Sequence, residues 1–126
     1  MKLEFDGAGL FSEGLAPIKI NQKWYYIDKI GNLSIQQQFD EASTFSEGYA
    51  VVAIGKLWGY IDKSGNFVIN PQFNYATSFS EGLAVVSFPN NKYGFINKKG
   101  ELVINPLFDY AGSFSEGLAV IKTNGP

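Results

Sequence analysis

The hexapeptide FSEGLA at residues 11–16 returns as FSEGYA at 45–50 and as FSEGLA at 79–84 and 114–119, at intervals of 34, 34 and 35 residues. A fixed period of this length marks a repeat architecture, in which one small unit is copied and each copy buries its apolar face against the next. Aligning the copies on this anchor superimposes much more than the anchor. Residues 23–28 (KWYYID) fall on 57–62 (LWGYID) and 92–97 (KYGFIN). Gly31, Gly65 and Gly100 coincide, as do Ile35, Ile69 and Ile104. Phe39-Asp40 falls on Phe73-Asn74 and Phe108-Asp109, with Phe5-Asp6 as the N-terminal counterpart. The extra residue of the last interval lies within 88–91, a Pro- and Asn-containing stretch where a turn absorbs an insertion.

Each unit reads as β-structure. Short β-favouring runs such as Leu83-Ala84-Val85-Val86 follow Gly14, Gly48, Gly82 and Gly117 and form a first strand, with Ala50, Val52 and Ile54 on one face. A turn at Gly55-Lys56 leads to a second strand through Trp58, Gly59, Tyr60 and Ile61, whose two aromatics project to one side. Asp62-Lys63-Ser64-Gly65 has the form of a type I turn with glycine at the left-handed position, and it recurs as Asp28-Lys29-Ile30-Gly31 and Asn97-Lys98-Lys99-Gly100. The second strand therefore makes a hairpin with a short third strand at 33–35, 67–69 and 102–104. Beyond it the spacing changes to three: Phe39, Ala42 and Phe45; Phe73, Ala76 and Phe79; Phe108, Ala111 and Phe114. One helical turn would gather such a triad, and Asp6, Asp40, Asn74 and Asp109 stand where an N-cap would.

The expected fold is all-β, an open array of about 3.5 repeats of 34–35 residues, each a three-stranded β-meander plus a capped one-turn helix or 3-10 turn. A single repeat domain spans 1–126, with a partial repeat at 1–20 and repeats at about 21–54, 55–88 and 89–126. The array is expected to be open because both termini carry the same piece, whereas a closed propeller completes its last blade from complementary pieces. Pro17, where later copies have Val51, Val85 and Val120, places its strand at an edge. Unpaired edges at the ends of such a stack make an end-to-end homo-oligomer an expected state.

The run WGYIDKSGNFVINPQFNYATSFSEGLAVV at 58–86 resembles the repeat of the WG-repeat proteins, also called KWG repeats, and the resemblance extends over nearly the whole chain. Two copies depart from it, with Trp24-Tyr25 and Tyr93-Gly94 in place of the Trp-Gly pair. The resemblance implies a bacterial β-rich repeat protein and implies no activity.

Composition narrows the chemistry. With no cysteine and no histidine there is no disulfide, no thiolate nucleophile, no Ser-His-Asp arrangement and no Cys/His zinc site. A net charge of −2 without a basic run gives no electrostatic footprint for nucleic acid or an anionic membrane. No window approaches the roughly 20 apolar residues of a membrane span. The start, with Lys2, Glu4 and Asp6, lacks a secretory pattern, so a soluble, cytoplasmic chain is expected, export from a longer precursor being compatible with this. The glycine-containing loops lack the Gly-Lys-Ser/Thr ending of a phosphate loop, and no cofactor or catalytic residue is implied.

Three recurring features carry potential chemistry. Glu13, Glu47, Glu81 and Glu116 form a row, but three strands per unit would set equivalent residues about 14 Å apart, which leaves each carboxylate to bond its own bend. Asp28, Asp62 and Asn97 lack the alternating acidic ligands of a calcium loop and read as turn residues. The aromatic set Trp24, Tyr26, Trp58, Tyr60, Tyr93 and Phe95 serves core packing, or alternatively a platform on which sugar rings or quaternary amines dock. Gly59 and Gly94 are expected to let an aromatic of the adjoining unit lie over the backbone. The expected role is a non-catalytic binding or scaffold module that offers its repeat surface to a protein partner. The alternative is a cell-envelope module that binds polysaccharide through Trp24, Tyr26, Trp58, Tyr60 and Tyr93.

Overall fold

The recurring Ser-Glu-Gly-Leu bend is a two-residue hairpin turn. Ser12 and Leu15 exchange both backbone hydrogen bonds, at 2.9 and 3.1 Å, and Glu13 and Gly14 between them have φ of 56° and 87°. Two successive positive φ values define a type I′ turn, whose twist matches that of the strands it joins. The same geometry returns at Glu47-Gly48, Glu81-Gly82 and Glu116-Gly117. From these bends the strands follow. The structure is a computed structural model that describes residues 7–89 and 91–123, and among these it contains strands and turns without a helix.

The strands β1 (Gly7–Ala8), β2 (Ala16–Ile20), β3 (Lys23–Ile27) and β4 (Leu33–Phe39) form an antiparallel sheet in that order. A second sheet has β5 (Glu41–Ala42), β6 (Ala50–Ile54), β7 (Leu57–Ile61) and β8 (Phe67–Phe73) in the same order. The third contains β9 (Tyr75–Ala76), β10 (Ala84–Ser87), β11 (Tyr93–Ile96) and β12 (Leu102–Phe108). In the fourth, β13 (Tyr110–Ala111) pairs with β14 (Ile121–Lys122).

Four features differ from the sequence expectation. First, a complete unit has four strands, because a two-residue strand precedes each bend. Second, the strand expected to end at Ile35, Ile69 and Ile104 runs on to Phe39, Phe73 and Phe108.

Third, the expected capped helical turn is extended chain crossing between sheets. The Asp40 N–H donates to Ala53 O at 2.9 Å, so residue 40 already belongs to the next sheet's ladder. The inward-outward alternation restarts there, which is why Phe39, Ala42 and Phe45, three apart, all enter one core. Asp40 is therefore no N-cap: its carboxylate accepts from the Lys23 ammonium and the Gly55 N–H, and Asp109 likewise accepts from Lys92. Asn74 donates its backbone N–H to Ser87 O in the same crossing geometry, and Asp6 lies outside the described residues.

Fourth, Pro17 sits in β2, between β1 and β3. The ring is tolerated because this position needs no ladder donor: the equivalent Val85 N–H goes to the Thr77 hydroxyl at 3.0 Å. Opposite Pro17 stands Gly9, where a Cβ would lie 2.7 Å from Pro17 Cγ.

The sheets bury their faces against one another. Tyr26, Ile35 and Phe39 of the first meet Ala50, Val52 and Ile61 of the second, closed off by Leu15 and Phe45. Val51, Tyr60, Ile69 and Phe73 of the second meet Ala84, Val86 and Ile96 of the third, and Val85 and Phe95 meet Ala111 of the fourth. Val51 and Val52 thus point to opposite cores, so β6 reads as a continuous apolar run, as a strand covered on both faces must. The hairpin turn also seats against its neighbour. Gly65 has φ of 89°, and a Cβ there would stand 2.8 Å from Ile35 Cγ2 of the preceding sheet.

Directional bonds connect successive bends. The hydroxyls of Ser12, Ser46 and Ser80 donate to the carbonyls of Phe45, Phe79 and Phe114 at 2.7, 2.8 and 2.7 Å. In the opposite sense, Glu13 accepts from Gly48 N–H at 3.0 Å and Glu81 from Gly117 N–H at 2.6 Å. Glu47 accepts from both Glu81 N–H and Gly82 N–H, at 2.7 and 2.9 Å. The glutamate row is therefore an inter-repeat staple in which adjacent bends lie within hydrogen-bond reach. The expected local role and wide separation are both overturned, because the bends stack directly upon one another.

A glutamate is a poor occupant of a left-handed position, which costs a non-glycine residue about 1 kcal/mol, and asparagine would suit the isolated turn better. Glu47→Asn separates the two influences. Loss of two charge-assisted bonds outweighs the local gain, and thermal or denaturant unfolding should show a loss of about 1 to 2 kcal/mol. A stabilised variant would mean that the bend acts only as a turn. Gly65→Val should cost at least about 2 kcal/mol, from forced positive φ together with the collision with Ile35, and an unchanged unfolding midpoint would contradict that geometry.

Candidate interaction surface

The strands β3, β7 and β11 each carry two aromatics on one face, and the structure assigns them different duties. Tyr26 and Tyr60 are fully buried, at 0% exposure. Their hydroxyls donate to Ser43 O and Thr77 O at 2.6 and 2.7 Å, tying each sheet to the opening segment of the next. Burial pushes both phenols above their ordinary value, with the nearby Tyr75 adding to the effect at Tyr60. Phe95, their equivalent in the third unit, has no hydroxyl, and the corresponding position in the next sheet is Gly112. Their rings touch only protein.

Trp24, Trp58 and Tyr93, two residues earlier, are half-buried. Trp24 packs over Gly7, and its indole N–H is buried without a hydrogen-bond partner among the described residues. Trp58 lies along the core between the second and third sheets. Gly59 beside it serves a different purpose from the one expected. A Cβ at Gly59 would lie 2.6 Å from Ile69 O and 2.7 Å from Pro71 N. The backbone of its own sheet, rather than a neighbouring ring, covers it. The register between β7 and β8 pairs Trp58 with Phe73 and Tyr60 with Ile69, so Asn70, Pro71 and Gln72 bulge opposite the single Gly59. In the first unit Tyr25 stands at this place, opposite Gln36, Gln37 and Gln38, without a proline.

Tyr93 belongs to a group the sequence did not single out. Tyr75 pairs with Ser87 across β9–β10, and Ser87 pairs with Tyr93 across β10–β11, so the two tyrosines flank one buried serine. Their ring centroids are 5.8 Å apart, and the ring of Tyr110 of the fourth sheet likewise lies 5.8 Å from that of Tyr93. Tyr75 and Tyr110 are 44% and 49% exposed. Partial desolvation, then the neighbouring Tyr110 and Tyr93, raise the Tyr75 phenol above its ordinary value. The position of Tyr75 and Tyr110 carries Gly7 and Glu41 in the other units, so no periodic signal marks it. Strand register brings Tyr75 beside Tyr93, and the approach of the fourth sheet to the third brings Tyr110 there.

The carboxylates of Glu13, Glu47 and Glu81 are engaged across bends, and those of Asp28, Asp40 and Asp62 within their own stretch of chain. Asp28 Oδ1 accepts from the N–H groups of Ile30, Gly31 and Asn32, and Asp62 Oδ1 from those of Ser64 and Asn66. Asn97 Oδ1 does the same with Lys99 and Glu101. The Lys23 ammonium and then the Gly55 N–H hold the Asp40 carboxyl below the usual carboxylate range. Among the described residues no group of three or more Asp or Glu could hold a metal ion, and no helix is long and apolar enough to cross a membrane.

The stacked four-strand units, their shared bends and the Trp-Gly pair against a bulged partner strand define a β-repeat protein. The WG containing repeat matches at residues 2–24, 26–58, 58–93 and 93–125, and the chain belongs to that family, which is a repeat domain rather than a known enzyme family. No curated protein matches the chain closely enough to carry a role over to it.

The buried phenols give a pH signature. Unfolded tyrosine ionises near 10.0, whereas Tyr26 and Tyr60 stay protonated to higher pH in the fold. Above that pH the native state binds more protons than the unfolded state, so the stability they contribute is complete below it and declines as pH rises. Melting temperatures followed into the alkaline range should fall above about pH 10, and less steeply for a Tyr26→Phe/Tyr60→Phe chain. Identical slopes for both chains would assign the alkaline loss elsewhere.

Proposed function

We propose that the chain is a non-catalytic binding or scaffold module, an open array of repeats that presents its β-rich surface to a protein partner. The observation that carries this reading is the strip Tyr75–Tyr93–Tyr110, half-buried at Tyr93 and exposed at Tyr75 and Tyr110, which crosses from the third sheet to the fourth. Tyrosine supplies large contact area at low conformational cost together with a hydroxyl for the wet rim, and it is enriched at protein interfaces. The reading as a module without catalysis is supported by the carboxylates of Glu13, Glu47, Glu81, Asp28 and Asp62, each of which accepts from backbone amides.

Polysaccharide binding is the second reading, and the exposure of the same rings favours it. The rings are inclined by 63° and 52° to one another, a corrugated surface that suits an irregular protein face better than a flat sugar chain.

The test compares immobilised wild-type chain with a Tyr75→Ala/Tyr110→Ala variant in capture from extract, read by quantitative mass spectrometry. Proteins retained by the wild type and lost from the variant support a partner at the strip. An identical set from both removes the strip from the account. Retardation of the wild type alone in gels containing soluble glycan moves the assignment to polysaccharide.

A further inference from the structure

Glu13, Glu47 and Glu81 are committed to amides of the next bend, and Asp40 to Lys23 and the Gly55 N–H. Glu41, the residue after Asp40, is exposed and has neither a hydrogen bond nor an ion pair among the described residues. An exposed carboxylate is ordinary in itself, and its neighbours set this one apart.

Glu41 pairs with Ala53 across β5–β6, and Ala53 pairs with Trp58 across β6–β7. Directly opposed residues project to one face of a sheet. The carboxylate and the indole therefore flank one small buried residue, as Tyr75 and Tyr93 flank Ser87. The first unit shows which way the indole leans: a Cβ at Gly7, the counterpart of Glu41, would lie 3.7 Å from Trp24 Cη2. From the other direction β3 lies against β5 as β11 lies against β13. Trp24 thus holds toward Glu41 the place that Tyr93 holds toward Tyr110, where the ring centroids are 5.8 Å apart. One acidic side chain stands between the only two tryptophans of the chain, both half-buried. Because β7 lies against β9 in the same way, the row runs on from Trp58 to the tyrosine strip.

We infer that Trp24, Glu41 and Trp58 receive an arginine side chain of a partner polypeptide. Aromatic faces and a carboxylate both carry negative potential, so the place favours a cation. A guanidinium forks onto both carboxylate oxygens and stacks its plane on an aromatic ring, whereas an ammonium is a compact point charge without that fork. Local cations are placed elsewhere: Lys23 is held by Asp40, and Lys19 pairs with Trp24 from β2, within the first sheet. The chain contains no arginine, so a second copy does not supply the group. This deepens the reading above and rests on the partner being a protein. The tyrosines contribute contact area, and Glu41 adds a requirement for charge.

The two tryptophans are also the reporters. Their fluorescence in the full chain is followed during titration with Nα-acetylarginine amide, and with the amides of Nα-acetyllysine and of Nα-acetylcitrulline, the neutral isostere of arginine. A saturable change is expected with arginine, and about tenfold weaker binding of citrulline. Added salt should weaken the arginine response. Glu41→Gln alters one exposed side chain; with its unfolding midpoint unchanged, it should bind arginine amide about tenfold more weakly and cease to distinguish it from citrulline. In NMR spectra the indole N–H resonances of both tryptophans should move with arginine amide. No saturable change, equal affinity for citrulline, or unaltered binding by Glu41→Gln would each overturn the inference. Tighter binding of Nα-acetyltrimethyllysine amide would overturn it in favour of a quaternary ammonium. Capture from extract that depends on Tyr75 and Tyr110, without any arginine response, would keep the protein-partner reading and remove this one. An arginine response with capture unchanged in the Tyr75→Ala/Tyr110→Ala variant would do the reverse.

Discussion

Two kinds of hydrogen bond, one donated by a serine hydroxyl and one accepted by a glutamate carboxylate, hold every bend of this protein to the next. Burial of apolar faces supplies most of the energy that drives sheets together, but it is non-directional and would tolerate sliding. The staple is directional. With the bends held at hydrogen-bond distance, Gly65 can approach Ile35 closely, Tyr26 can reach Ser43 O, and β6 can bury Val51 on one side and Val52 on the other. The left-handed glutamate is retained against its local preference because its carboxylate is required 34 residues away.

Several contacts change between units as sets. Lys23 and Asp40 form an ion pair, as do Lys92 and Asp109, and in the middle unit both partners are replaced together by Leu57 and Asn74. Removing one partner alone would strand a charge, whereas exchanging both leaves the surface neutral. Gly59 accompanies the Pro71 bulge, and Tyr25 accompanies Gln37. Tyrosines with a hydroxyl face carbonyls at Ser43 and Thr77, while Phe95 corresponds to Gly112. The backbone plan is common, and the chemistry at each contact is settled pair by pair.

These pairings explain what could be read from the chain and what could not. The period and the hairpin with its Asp-x-x-Gly turn are local signals, and the structure carries them; of the aromatics on that hairpin Tyr26, Tyr60 and Phe95 are buried, whereas Trp24, Trp58 and Tyr93 are half-buried. The Phe39, Ala42 and Phe45 triad misled because a spacing of three has two physical sources, a helical turn or a strand whose alternation restarts at a crossover. The crossover is visible only in the bond from Asp40 N–H to Ala53 O. The glutamates misled for a similar reason, since nothing within the bend discloses that the acceptor's partner lies one repeat away. Tyr75 and Tyr110 carried no periodic mark at all; register places the first beside Tyr93, and contact between the third and fourth sheets places the second.

The staple always runs the same way along the chain, hydroxyl and carboxylate on the earlier bend, carbonyl and amide on the later one. A repeat therefore carries one half of each of its two joints, and any contiguous stretch of one period contains a complete set of both halves. Copying or deleting such a stretch, wherever the cut falls, rejoins matching halves without altering a residue. The number of units is thus free to change by simple recombination within a coding sequence, and array length becomes the most easily altered property of this architecture.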